Sequence, residues 1–264
     1  MGRGRWLGAA LIAGLLFLYV PIALLVLTSF NDSRLTTVWT GFSFRWFATL
    51  SGDGELIDAA LLSLRIAAVA ATGATVLGAF AGVALARFHP FRVRAVFAGL
   101  LAAPLVLPDL LIALSLLLLF VMVERVAGFP QRGSITITAA HITASLAYVA
   151  IVVEARLAGE GRALEDAAMD LGAPPLEAFL RITVPLLAPA LVSGWLLAFT
   201  LSLDDVVIAS FVSGPGATTL PMLVFSRLHL GATPELNALA TCILFVVAAA
   251  MIPAWRLTRK SGRA

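Results

Sequence analysis

Six stretches of the chain are long and apolar enough to cross a bilayer, a crossing that takes about 20 residues of α-helix. They run roughly Leu7–Phe30, Ala59–Ala86, Ala95–Val123, Ser134–Val153, Ala188–Val212 and Leu236–Trp255. The first begins behind Arg3 and Arg5, in the manner of a signal peptide. Its apolar run outlasts the usual core of about 7–15 residues, so it reads as a retained span. Pro104, Pro108 and Asp109 sit near the middle of the third stretch. A re-entrant hairpin there would leave five crossings; six crossings predict a kink or an unwound turn instead, tolerated where protein or water covers the backbone.

Basic residues choose between these topologies. One set of connections holds Arg87, Arg92, Arg94, Arg156, Arg162 and Arg181, together with Arg3 and Arg5 at one end and Arg256, Arg259, Lys260 and Arg263 at the other. The opposite set holds Arg34, Arg45, Arg125, Arg132 and Arg227. The positive-inside rule places the first set, with both termini, in the cytoplasm, and it favours six crossings over five. Arg65 lies a turn or two inside the second span and is expected to snorkel outward. The predicted class is an all-α integral membrane protein of about six transmembrane helices, with one membrane domain over residues 1–264.

Composition agrees. Of 264 residues, 61% are hydrophobic and 12% charged, with a mean hydropathy of +1.01; soluble domains carry about 25% charged residues. The net charge of +3 is scattered near span ends, so no basic face invites nucleic acid. Cys242, the only cysteine, lies in an apolar run and reads as a small buried hydrophobe. His141 has no His, Cys or acid at metal-ligand spacing, which predicts an interhelical hydrogen bond and no metal.

Two further features concern packing. Trp39, Phe42, Phe44, Trp46 and Phe47 crowd the connection Asn31–Asp58 and suggest interfacial anchors around a helix lying along the membrane surface. Gly78 and Gly82 have the GxxxG spacing that admits a second helix at close range.

The connection Glu154–Leu187 is long for a bundle, where about 2–8 residues are usual. It is also rich in acid: Glu154, Glu160, Glu165, Asp166, Asp170 and Glu177 face Arg156, Arg162 and Arg181. A short helix over Arg162–Leu171 is predicted, stopped by Gly172, where positive φ is cheap, and by Pro174 and Pro175. A second amphipathic piece spans Leu176–Val184, with Pro185 and Pro189 opening the next span. By composition alone the connection is either a docking surface or an ordinary solvated loop.

The spacing Asp166-Ala167-Ala168, three residues, Gly172, nine residues, Ile182, one residue, Val184-Pro185 resembles the EAA signature of bacterial ABC-importer permeases. Asp166 stands where that signature has Glu, beside Glu165, and Val184 where it has Leu. The run Phe199–Met222 is similar to polyamine (spermidine/putrescine) importer permeases, most of all the second permease subunit of putrescine importers. The resemblance covers essentially the whole chain and implies the type I ABC-importer permease architecture. It also implies a coupling segment at about 154–187, with Glu165, Asp166, Ala167, Ala168, Asp170, Gly172, Ile182 and Pro185 docking into an ATPase. The implied partners are a second, homologous permease chain, a homodimeric cytoplasmic ATPase holding ATP and Mg, and a periplasmic polyamine-binding protein, all at a bacterial inner membrane. No cofactor is implied on this chain, and none of its residues forms a P-loop, since its one lysine is Lys260.

Asp109, Asp204 and Asp205 fall within apolar stretches, where an acid costs about 2.5–3.5 kcal/mol on insertion scales. They read as a path for a cationic amine, or as acids satisfied by helix packing. Adjacent residues lie about 100° apart on a helix, so Asp204 and Asp205 face one ligand only if the helix is unwound there. Otherwise one meets the path and the other a neighbouring helix. Trp195, Phe199 and Phe211 are either cation–π faces or packing. The Gly- and Pro-rich loop Ser213–Pro221 is a gate element, a contact with the binding protein, or a plain turn. Two rival classes remain: an ion-coupled secondary transporter of a cation, which predicts inverted repeats that the sequence does not display, and an intramembrane hydrolase built on Ser202 and Asp205, for which no base is evident.

Overall fold

The structure, a computed structural model, describes residues 3–35, 38–88, 93–229, 231 and 233–245. The regular elements among them are helices: α1 Arg3–Thr28, α2 Arg45–Ser51, α3 Gly54–Arg87, α4 Arg94–Val106, α5 Asp109–Ala127, α6 Ser134–Glu160, α7 Ala163–Asp170, α8 Pro175–Ala178, α9 Val184–Asp204, α10 Val207–Val212, α11 Leu220–His229 and α12 Pro234–Phe245. A five-residue π-helical turn, Phe179–Thr183, joins α8 to α9. Five helices have the length and apolarity of a membrane span, and α4 and α12 are shorter apolar helices.

The third expected span carries the unwound turn predicted for it, the fifth is shifted, and the sixth is described only in its first part. The third is two helices, because Leu107 and Pro108 both take extended backbone (ψ 138° and 139°) between α4 and α5. A residue before proline is pushed out of the α region, so the helix ends at Val106 and restarts at Asp109. The fifth span starts earlier and stops earlier than its apolar run: a continuous rod runs from Pro175 to Asp204. Leu176–Val184 is therefore the first part of that rod. Pro185 has no N–H for the carbonyl of Arg181, and the wide turn, in which the Val184 N–H reaches the Phe179 carbonyl, keeps the rod unbroken. Of the sixth span, Leu236–Phe245 is helical, whereas 246–255 and the basic tail with Arg256, Arg259, Lys260 and Arg263 lie outside the described residues, as does Arg92.

The contacts divide the chain into two compact units. In the unit of residues 1–57 and 224–264, none of the most apolar window of α1 is buried. Asn237 on α12 donates to Thr28 Oγ1 at 3.1 Å. Cys242 is exposed on α12, not buried, because it lies off the face on which Leu236, Ala238, Leu239 and Thr241 are buried. The aromatic connection builds a cluster of rings that is partly exposed: Phe30 stacks on Phe42 at 5.2 Å and meets Phe44 and Phe47 at 5.4 and 5.1 Å. Trp46, on the short helix α2, is buried and donates its indole N–H to the Asn31 carbonyl at 2.7 Å, while Trp39 stays exposed. Asp53 accepts the Leu56 N–H and so caps α3. Its other oxygen takes Arg227 Nη1 at 2.6 Å, and Arg227 Nη2 reaches Glu55 at 2.9 Å.

In the unit of residues 58–223, α6 is the central helix. A Cβ added to Gly78 or Gly82 of α3 would fall 2.9 and 2.6 Å from the backbone carbonyls of Leu146 and Ala150. The GxxxG pair therefore brings α3 onto the α6 backbone. Val149 sits between Gly78 and, from the other side, Gly194 of α9, where an added Cβ would fall 3.1 Å from its Cγ1. Ala71, Ala74, Val153, Leu157, Leu187 and Ala198 complete this small-residue core. A second core joins α5, α6 and α10 through Ile112, Ala113, Ile137, Ala140, Ile208, Ala209 and Val212.

Gly82→Val should strain the α3–α6 seam by about 1–3 kcal/mol and lower the unfolding midpoint of the purified protein. Gly99→Ala, with open space around its Cβ, should leave that midpoint unchanged or raise it. The guanidinium of Arg227 holds the Asp53 carboxyl below its ordinary range. Its stabilisation is thus fully present above the unfolded aspartate value of about 3.9 and is lost as pH falls through the lower folded value. Asp53→Asn should reduce stability at pH 6 and flatten its acid-side decline, as read from midpoints between pH 6 and 3.

Candidate functional site

Residues flanking the Leu107–Pro108 break and residues of the Asp205–Val206 break line one cavity of about 430 Å³. Pro104 of α4, Asp109 and Ile112 of α5, and Leu201, Ser202, Asp204 and Asp205 at the end of α9 line it. Val206, Val207 and Ile208 at the start of α10 and His141, Ala144, Ser145 and Tyr148 of α6 complete the wall. All three acids expected in apolar spans thus stand at helix ends. Asp109 is the first residue of α5, where the helix dipole favours a carboxylate. Asp204 closes α9, where the dipole does not.

Asp205 is unwound from α9, with ψ 129°, which is why both neighbours can line the same cavity. Its carboxylate is fully engaged. It accepts the N–H groups of Ile208 and Ala209 at 3.3 and 2.7 Å, starting α10, and lies 3.2 Å from His141 Nε2. An ionised carboxylate can only accept, so Nε2 carries the hydrogen. The other ring nitrogen, Nδ1, is 2.6 Å from Ser202 Oγ. His141 is buried and makes the interhelical bonds expected of it, to two partners on the far side of the α6–α9 seam. Asp204, by contrast, is exposed to the cavity, and among the described residues no side chain is bonded to its carboxylate.

Ser202, His141 and Asp205 share the connectivity of a hydrolytic triad, and His141 supplies the base that sequence reading could not place. Ser202 is nevertheless buried within α9, whose own N–H groups are spent in the helix and are not aimed at its hydroxyl as oxyanion donors. The network is a strut between helices. Ser145 and Tyr148 were not anticipated. Their signal was the spacing 141, 144, 145, 148, one face of α6.

Trp195 and Phe199 stand elsewhere. They stack on each other at 5.1 Å against the α3–α6–α9 core, and Trp195 donates to Thr72 at 3.1 Å. Phe211 packs against the second core. The loop after α10 is pinned to the N-terminal end of α6: the Gly214 backbone lies against the Arg132 carbonyl, leaving no room for a Cβ, and Thr136 donates to the Val212 carbonyl at 2.7 Å.

The connection 154–187 forms an elbow at the foot of the α9 rod. α7 ends at Asp170 in a turn in which Gly172 takes φ +92°. The Gly172 N–H bonds the Met169 carbonyl and the Ala173 N–H the Ala168 carbonyl, the wrapped C-cap that glycine favours. Glu165 is the internal tie. One of its oxygens meets Arg87 at the end of α3 at 3.0 Å and accepts Thr183 Oγ1, in the π turn, at 2.7 Å. Asp166, Ala167, Asp170, Gly172 and Pro185 are exposed, Ala168 and Ile182 half-buried. Around them Leu164, Leu171 and Leu176 are also exposed, giving an outward face that mixes acids and apolar side chains.

Among the described residues no group of three or more His, Cys, Asp or Glu side chains could hold a metal ion. Residues 74–259 match the family model described as binding-protein-dependent transport system inner membrane component. The chain belongs to that family. It is 54% identical over 262 residues to the putrescine transport system permease protein PotI of Escherichia coli (strain K12), covering 99% of this chain and 93% of that one. It is 42% identical over 246 residues to the spermidine/putrescine transport system permease protein PotC of Haemophilus influenzae, covering 93% of each. Its fold matches a chain from the crystal structure of a bacterial ABC transporter involved in import of the acidic polysaccharide alginate, with a TM-score of 0.76, 16% identity and 98% and 96% coverage. The protein is thus a multi-pass permease subunit of an ABC importer and not an enzyme. Members of this family work with a partner permease, a separate ATPase and a substrate-binding protein.

With open space around Gly172, a side chain there costs only its backbone strain, about 1–2 kcal/mol. Gly172→Val should insert normally yet lose transport, whereas Gly172→Asn, which tolerates positive φ, should retain most of it. Uptake normalised to membrane-inserted protein distinguishes the two.

Proposed function

We propose that this permease carries a polyamine, putrescine foremost, across a bacterial inner membrane through the cavity at its two helix breaks. The observation that carries the reading is the division of labour among the acids. Asp205 is spent on His141 and the α10 backbone, while Asp204 faces the cavity without a side-chain partner among the described residues and Asp109 faces it from α5. A carboxylate covered by lipid would cost about 2.5–3.5 kcal/mol, so this mouth calls for water and protein cover. A second, homologous permease chain supplies the cover, and a protonated amine is the solute that such acids attract. The likeness to PotI and PotC, whose names specify putrescine and spermidine/putrescine transport, supports the amine assignment.

In this reading both termini and the elbow 154–187 lie in the cytoplasm. A homodimeric ATPase, with its ATP and Mg, grips the exposed face of α7 around Asp166, Ala167 and Asp170, and a periplasmic binding protein delivers substrate from the opposite side. The elbow passes displacement to α3 through Glu165–Arg87 and to the α9 rod through Thr183. The rod ends at Asp204, so one rigid element joins the docking face to the substrate cavity.

In proteoliposomes holding the full assembly, ATP-dependent putrescine uptake should fall at least tenfold in the double variant Asp204→Asn, Asp205→Asn, about 1.4 kcal/mol of lost interaction. Asp204→Asn alone should account for most of that loss while leaving assembly intact. Asp205→Asn should also lower the unfolding midpoint, since it weakens the strut to His141. Undiminished uptake in the double variant would remove the acids from the path, and uptake by the lone chain abolished by an uncoupler would replace the ATP-driven reading with an ion-coupled one.

A further inference from the structure

A second cavity, of about 420 Å³, lies along the seam of α3 and α6, on a different face of α6 from the acidic one. Its polar groups are Arg65, Ser134 and Thr138; Leu62 lies a turn before Arg65 on α3, and Ile66, Val69, Ile135 and Ile142 are walls further along the two helices. Arg65 is exposed, and among the described residues no carboxylate, carbonyl or hydroxyl is bonded to its guanidinium. Ser134, the first residue of α6, is likewise exposed with no bond to its hydroxyl among them, while the Thr138 hydroxyl is turned back onto the Ser134 carbonyl.

Depth decides what can meet this arginine. Arg65 and Arg87 bracket an uncharged stretch of α3, residues 66–86. At 1.5 Å per residue that stretch is about 31 Å long, the thickness of a bilayer's hydrocarbon core. Arg65 therefore stands at the level of the lipid phosphates on the side where α3 begins. On α6, residues 134–153 are free of formally charged groups between Arg132 and Glu154, which places Ser134 at the same boundary. The groove thus has a cation and a hydroxyl at phosphate depth, and four branched apolar side chains where an acyl chain would hang.

We infer that this groove is a binding site for one anionic phospholipid, its phosphodiester held by Arg65 and Ser134 and one acyl chain lying between α3 and α6. An arginine pairs a phosphate through two parallel N–H···O bonds, which exposure to neutral lipid tails could not replace. A bound lipid here would brace the same seam that Gly78 and Gly82 close further along.

The full importer complex, placed in nanodiscs of equal phosphatidylglycerol and phosphatidylcholine, is released and weighed by native mass spectrometry. One phosphatidylglycerol should survive delipidation on the wild-type permease. It should be lost in Arg65→Gln and also in Ile135→Trp, which keeps the charge but fills the groove. Retention unchanged in both variants, or equal retention of phosphatidylcholine, would mean ordinary annular lipid and overturn the assignment. High-yield cross-linking of Thr138→Cys to the second permease chain would overturn it too, by showing that protein covers the groove.

Discussion

A polar group inside a bilayer must be bonded or wetted, and this requirement organises the whole second unit. Where α3, α6 and α9 pack backbone to backbone, the helices are continuous and their polar groups are spent internally. Where helices break, at Leu107–Pro108 and Asp205–Val206, the freed groups need other partners. Asp205 meets that need for α10 and for His141, and Ser202 meets it for the second ring nitrogen. Irregular backbone at membrane depth is tolerated where it lines a cavity; Asp205 and Val206 line one, and Pro104 and Asp109, flanking the first break, line the same one. The tight seam and the open cavity are therefore complementary: glycine and alanine contacts at Gly78, Gly82 and Gly194 hold α6 rigidly enough for the adjoining helices to stop and restart.

The same logic reaches the elbow. Glu165 and Arg87 are each less than one-fifth exposed, so their ion pair is shielded and further restrained by Thr183. A tie of that kind transmits position better than a solvated surface pair, which contributes little. It joins α7 to two spans at once, and the π turn beside it lets the α9 rod continue past Pro185 without a hinge. Under the proposed role, a displacement of α7 reaches Asp204 along one continuous helical rod.

Several of these features were legible in the residues alone. The apolar runs declared the membrane, the Asp166–Pro185 spacing resembled the signature of importer permeases, and Gly172 marked a turn because few side chains are comfortable at positive φ. Gly78 and Gly82 announced a close helix contact, and three aspartates in apolar surroundings announced a cavity or a bonded network. Each is a local property, carried by neighbours in the chain or by a period of a few residues.

Which acid is free was beyond such reading. Asp204 and Asp205 are chemically identical neighbours, and only the helix ending between them, with His141 64 residues away in the chain, separates a structural carboxylate from an available one. The same holds for Glu165 as the shielded tie beside the exposed Asp166, for Trp195 and Phe199 as packing against α3 and α6, and for Cys242 as an exposed side chain. Sequence determined the solvent each segment requires, because transfer free energy belongs to the residues themselves. Partnership was decided by tertiary structure, because a hydrogen bond or ion pair exists only where the fold brings its two ends within about 3 Å.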